Sequence, residues 1–151
     1  MEHLHANEHP QEGGDATAKT AARAWQGLNT LLIERYNRRR IVAEALGMSF
    51  SRVRALRRLA AGPITLRELA EQMSADPPYT TVIVDDLVRR GLAERVTNAA
   101  DRRSKLVHLT QPGQVTAARA IDILTTPPDA LLALPPEDIE ALDRVVAKLL
   151  G

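Results

Sequence analysis

Helix stops and starts between residues 49 and 91 constrain this chain more than any other feature. Ser49 reads as the N-cap of a helix over 49–61, with Val53, Leu56, Leu59 and Ala60 on its apolar face. Arg52, Arg54, Arg57 and Arg58 lie elsewhere on that helix, and Gly62-Pro63 stops it. Thr65-Leu66-Arg67-Glu68 reads as a capping box. The hydroxyl can accept from the backbone N–H of residue 68 while the glutamate reaches back. It opens a short helix carrying Leu66, Leu69, Ala70 and Met73. Asp76-Pro77 then places an N-cap before a proline at the first helical position. This third helix runs to about Arg90, and Gly91 is a left-handed C-cap.

After Gly91 the period changes from helical to alternating. Leu92 to Thr97 and Ser104 to Thr110 read as two strands joined by Asn98-Ala99-Ala100-Asp101-Arg102-Arg103. Val107 and Leu109 face one side of the second strand, and Leu106 and His108 face the other. Three short helices followed by a hairpin is the order of a winged helix-turn-helix. In that motif the third helix enters the major groove of DNA. The fold class is therefore mainly α with a small β-hairpin wing.

The flanks are helical. Residues 1–16 are polar, with Gly13 and Gly14 and no apolar period, and read as a flexible N-terminal arm. From 17 to 46, Trp25, Leu28, Leu32 and Tyr36 recur at helical spacing, and one long helix without proline is expected to end near Gly47. Residues 111–126 return to helix behind Gln111-Pro112-Gly113, with Val115, Ala118, Ile121 and Leu124 as the stripe. Pro127-Pro128 ends it, and a last helix from Pro135 carries Ile139, Leu142, Val145, Val146 and Leu149. The stripe of the N-terminal helix exceeds what a small domain can cover, which favours use in an interface.

Sorting the third helix by face separates core from surface. Thr80, Ile83, Val84 and Leu87 form an apolar stripe at i, i+3, i+4 and i+7. Its N-terminal part, Pro78, Tyr79, Thr80, Thr81 and Val82, is the candidate reading segment, although Thr80 also belongs to the stripe. Thr81 can hydrogen-bond a base or a phosphate, and Val82 or the Thr81 methyl can contact a thymine methyl. Tyr79 can reach a phosphate or stack on sugar, and the helix N-terminus favours a phosphate oxygen. The loop after it adds Arg102, Arg103 and Lys105. A thin loop with an arginine at its tip can enter a narrow A·T-rich minor groove. Asp101, two residues before Arg103, can fix that guanidinium by a bidentate pair.

Charge agrees with this reading. The formal net charge is +1, but residues 49–110 carry eleven basic and seven acidic side chains, net +4. Residues 111–151 carry three basic and six acidic, net −3. A basic middle beside an acidic section is the asymmetry of a polyanion-binding module. The absence of cysteine excludes a disulfide scaffold, a thiolate zinc site, an iron–sulfur cluster and a thiol switch. No apolar run approaches the roughly 20 residues that span a bilayer, and no secretory signal is visible, so the expected location is the cytoplasm. An enzyme is not expected, since there is no glycine-rich phosphate loop, no nucleophile motif and no metal-ligand spacing. No cofactor or metal is assigned.

With those residues in hand, the chain resembles the MarR family of bacterial transcription regulators from about residue 20 to its C-terminus. The specific stretches are Leu87-Val88-Arg89-Arg90-Gly91-Leu92-Ala93-Glu94-Arg95 and Asp101-Arg102-Arg103-Ser104-Lys105-Leu106-Val107-His108-Leu109-Thr110. The second matches the family's wing signature: Asp, any residue, Arg, five residues, then Leu-Thr. The resemblance implies that Arg103 enters the minor groove with Asp101 in support. It implies a homodimer formed through the helices of 17–48 and 111–151, with 49–110 as the DNA-binding lobe. It also implies a regulator, commonly a ligand-responsive repressor, on an inverted-repeat operator in double-stranded DNA. Small aromatic or phenolic ligands often release such proteins, and Trp25, Tyr36 and Phe50 are the candidate pocket residues.

Two positions depart from the family pattern. Its reading helix often has arginine where Val82 and Asp86 stand here, and Asp86 would repel a phosphate. Binding would then lean on the wing, or on Arg52, Arg54, Arg57 or Arg58, or dock the helix by its first turn only. The alternative is a MarR-like dimer that has lost DNA binding and serves as a ligand- or protein-binding module. His3, His5 and His9 form a sparse cluster in the arm for which a metal role is a minor reading, and His108 reads as structural.

Overall fold

A computed structural model of the chain describes residues 11–151, which form two compact units divided between Asn37 and Arg38. His3, His5 and His9 lie outside the described residues. The first unit holds α1 (Gln11–Asn29) and a π-helical turn over Thr30–Arg35. Residues 11–16, expected as arm, are already helical. The single helix expected over 17–46 is interrupted. Tyr36 leaves helical geometry at φ −118°, ψ 51°, and its N–H donates to the Leu31 carbonyl at 2.7 Å. That i→i−5 closure is a π-type bond, so the helix ends by a change of hydrogen-bond register without proline or glycine. Trp25, Leu32 and Ile33 are all exposed in this unit.

The second unit begins with α2 (Arg38–Leu46) and α3 (Phe50–Leu59), then β1 (Ile64–Thr65), α4 (Leu66–Met73) and α5 (Pro77–Arg89). β2 (Ala93–Thr97) and β3 (Lys105–Leu109) make the wing, followed by α6 (Gln111–Thr125), α7 (Asp129–Leu132) and α8 (Pro136–Leu150). The caps are the expected ones. Ser49 accepts from Arg52 N–H, and Thr65 and Glu68 bond reciprocally. Asp76 accepts from Tyr79 N–H, and Gly91 takes φ 72°. Ser74 closes α4 in the left-handed region at φ 51°.

The core lies among α3, α4, α5 and β3. Val53, Leu56, Leu59, Leu69, Ile83, Val84, Leu87 and Val107 are within one per cent of full burial. These are the stripe residues of each element, brought together because burying them is the dominant favourable term. The sheet has three strands in the order β1-β3-β2, all antiparallel. β1 is two residues, Ile64 opposite Val107 and Thr65 opposite Leu106. It was not expected, because two residues carry no period and its partner is distant in sequence.

α6 corrects another expectation. Its inward face is Gly113, Ala117 and Ala120, with Ile123 and Leu124 partly covered. Val115 and Ile121, expected inside, are exposed. Small residues let α6 approach closely: a Cβ on Gly113 would lie 1.9 Å from the Leu92 carbonyl oxygen. The bulkier apolar face is left outward. α8 buries no residue at all, with Leu142, Val145, Val146 and Leu149 exposed. Among the described residues no helix is long and apolar enough to cross a membrane.

Candidate nucleic-acid interface

α5 is packed by Thr80, Ile83, Val84 and Leu87, all fully buried. Thr80 therefore leaves the reading set. Its hydroxyl donates to the Asp76 carbonyl at 2.9 Å beneath the helix. Pro78, Tyr79, Thr81 and Val82 stay exposed. Pro78, Thr81, Val82 and Asp85 follow i, i+3, i+4, i+7 and so share the face opposite the core.

The N-terminus of α5 is not an anion site, contrary to the sequence expectation. Pro77 and Pro78 have no N–H. The Tyr79 N–H donates to Asp76 Oδ1 at 2.8 Å, and the Thr80 N–H donates to the Asp76 carbonyl at 3.1 Å. A carboxylate already occupies the place a phosphate would take.

The polar atoms of the reading segment are also committed. The Thr81 hydroxyl donates to the Pro77 carbonyl at 3.0 Å. The Tyr79 hydroxyl donates to Ser51 Oγ at 3.1 Å, which ties α5 to α3. Asp85 is ion-paired to Arg95 of β2, joining the helix to the wing.

Asp86 is the hub of the lobe. Its Oδ2 accepts from Arg52 Nε at 2.5 Å and from Arg90 Nε at 2.8 Å, and its Oδ1 accepts from Arg89 at 3.0 Å. Arg90 also donates to the Gly47 carbonyl at 3.0 Å. The Asp86 side chain is only 13% exposed. The hydrogen bond from Arg52, and then that from Arg90, holds its carboxyl below the usual carboxylate range against an opposing desolvation. The expected repulsion of phosphate by Asp86 is thus offset by three cations. The same geometry removes Arg52 from the pool of free phosphate binders. Arg54 is withdrawn as well, since it donates to the Met73 carbonyl at 2.8 Å. Arg57 and Arg58 remain exposed.

The wing loop is built from side-chain-to-backbone bonds, not glycine. Asn98 Oδ1 accepts from the Ala100 N–H and Asp101 Oδ1 accepts from the Arg103 N–H, both at 3.0 Å. These are Asx turns. Asn98 also donates to Ser104 Oγ at 3.1 Å across the loop. Asp101 therefore supports Arg103 through the backbone, where the sequence suggested a pair with the guanidinium. Arg102, Arg103 and Lys105 are all exposed. Arg103 and Lys105 line an open groove of about 660 Å³ with Arg67, Arg95 and Asp101, between the wing and the start of α4.

A family model described as the MarR family matches residues 46–104, the span from the end of α2 through the wing loop. That span of the chain is similar to the MarR family. Similar solved structures extend the likeness in fold beyond that span. The YusO protein of Bacillus subtilis is 22% identical over 88% of this chain and 96% of its own, with a TM-score of 0.73. A mutant of MepR from S. aureus is 19% identical over 85% and 95%, with a TM-score of 0.74. A mutant of MarR from E. coli, solved with operator DNA, is 25% identical over 82% and 94%, with a TM-score of 0.56.

The structure separates the candidate residues into groups. Thr81, Val82, Pro78 and Tyr79 share the exposed half of α5, and Arg102, Arg103 and Lys105 share the wing. Trp25 and Tyr36 belong to the first unit and Phe50 to the second, where the Arg39 guanidinium sits 5.1 Å from its ring centroid. Sequence reasoning missed Ser51 and the role of Asp86. Arg89 and Arg90, three and four residues after Asp86, were a readable helix-pair signal. The Arg52 and Ser51 partnerships were not, because nothing local encodes them.

Proposed function

We propose that this protein is a sequence-specific DNA-binding transcription regulator that acts in the cytoplasm as a homodimer on an inverted-repeat operator. The observation that carries this reading is the pairing of an exposed α5 reading segment with a wing whose cations project free of the core. α5 would lie in the major groove while Arg103 enters the adjacent minor groove. The MarR structure with operator DNA supports it as a relative of the same fold. The outward apolar faces of α6 and α8 support the dimer, because Val115, Ile121, Leu142, Val145 and Leu149 are left exposed by the described residues. A ligand-responsive repressor is the finer form of the proposal. An aromatic ligand near Trp25, Tyr36 or Phe50 would release DNA only by binding the DNA-incompetent spacing better.

The cation-free face of α5 favours one other reading, a dimer of this fold that binds a ligand or protein and not DNA. A gel shift on DNA from upstream of the protein's own gene separates them. Saturable, sequence-selective retardation at moderate salt is expected. Weak binding that is indifferent to sequence and vanishes with salt would leave the second reading.

A further inference from the structure

The outward face of α5 is defined by Pro78, Thr81, Val82 and Asp85. Its inventory of free hydrogen-bond donors is empty. Pro78 and Val82 have no side-chain polar atom. The Thr81 proton is given to the Pro77 carbonyl, and Asp85 is held by Arg95. Flanking Tyr79 gives its proton to Ser51. No lysine or arginine lies anywhere from Pro77 to Asp86.

Base edges in the major groove differ in what they require. Guanine presents two acceptors and is read by donors, and adenine is read by an amide that both donates and accepts. This face has neither. What it offers is carbon: the Val82 methyls, the Thr81 methyl and the Pro78 ring. The one apolar group in the major groove is the 5-methyl of thymine. The sequence left Thr81 a choice between hydroxyl and methyl contact, and its bond to Pro77 decides for the methyl.

We propose that α5 selects its half-site through thymine 5-methyl groups, with Thr81 and Val82 as the specificity-determining residues. This rests on the DNA-binding reading above and names what that surface reads. The Asp85 carboxylate on the same face adds to the discrimination, since it disfavours the acceptor-rich edge of guanine. Affinity then comes from the wing cations, while α5 supplies selection with little attraction to phosphate.

The test uses the full-length protein and duplexes it selects from a random pool. Each selected duplex is remade with deoxyuridine in place of thymidine, which removes only the methyl. Binding is expected to weaken about fourfold for each contacted thymine, the factor one buried methyl gives. Thr81→Ser keeps the hydroxyl and deletes the methyl, and Val82→Ala shortens the other contact. Both sites are exposed, so neither change disturbs the core. Each variant should abolish the uracil penalty at its own position. Arg103→Ala should lower affinity for both duplexes and leave the penalty intact. Equal binding of the two duplexes, or a penalty untouched by both α5 variants, overturns the inference while DNA binding stands. Selection of no duplex at all removes the DNA-binding reading itself, and this inference with it.

Discussion

Arg52 Nε stands 2.5 Å from Asp86 Oδ2, joining α3 to α5 across 34 positions of sequence. Both side chains are largely withdrawn from water, at 22% and 13% exposure. Removing one partner of such a pair leaves a charge that water cannot fully solvate. Arg90 extends the same link to the turn before α3 through Gly47. α5 is thus locked to its support near its C-terminal end, one residue from Asp85, whose pair with Arg95 joins the helix to β2.

Asp86→Asn is expected to lower stability at neutral pH, with the loss shrinking in acid. The sign follows from the depressed carboxyl. Its contribution is complete above the ordinary aspartate value of about 3.9 and is lost as pH falls through the lower folded value. Urea unfolding of both proteins across pH 2–7 checks this. A stability difference that stays constant through the acid range would remove Asp86 as the source.

Arg103→Ala and Asp101→Ala are expected to weaken operator binding in different ways. In the proposed complex Arg103 carries charge toward the DNA, so its loss should cost about 1–3 kcal/mol and reduce the log–log salt slope by about 0.9. Asp101 shapes the loop through the Arg103 N–H. Its loss should lower affinity without reducing that slope. Fluorescence titrations at several salt concentrations distinguish the two.

Gly113→Ala is expected to destabilise by about 3 kcal/mol, the upper end of overpacking costs. The added carbon would meet backbone, the Leu92 carbonyl, and not a side chain that can rotate away. Gly27 has nothing within reach of a Cβ, so Gly27→Ala is the control. Thermal unfolding of both variants reads the contrast.

Leu142→Glu combined with Val146→Glu is expected to convert the proposed dimer to monomer while leaving helix content unchanged. Among the described residues nothing buries a residue of α8, so the charges should disturb only what covers it in the proposed dimer. Sedimentation equilibrium with circular dichroism checks both halves. A double variant that remains dimeric would place the interface elsewhere.

The lobe was legible because its signals are local. The Thr65–Glu68 box, Asp76-Pro77 and Gly91 each act within one helical turn, and they set α4 and α5 as expected. The wing signature marked the positions of Arg102, Arg103 and Lys105. The inward face of α6 was misread because periodicity weights bulk, whereas Gly113, Ala117 and Ala120 pack by allowing close approach. Residues 30–37 were misread because a π turn needs no proline or glycine to announce it.

What the sequence determined by itself was the order of elements, their ends, and which face of each short helix of the lobe is apolar. Those follow from backbone hydrogen bonds and side-chain spacing over a few residues. Only the tertiary structure decided what the polar groups do. Asp86 looked like a repellent charge and is a neutralised hub. Asp101 looked like a clamp for a guanidinium and is a backbone turn. Thr81 looked able to donate to a base and has already given its proton to Pro77. A polar atom's function depends on which partner reaches it first, and that is set by distances the linear chain does not contain.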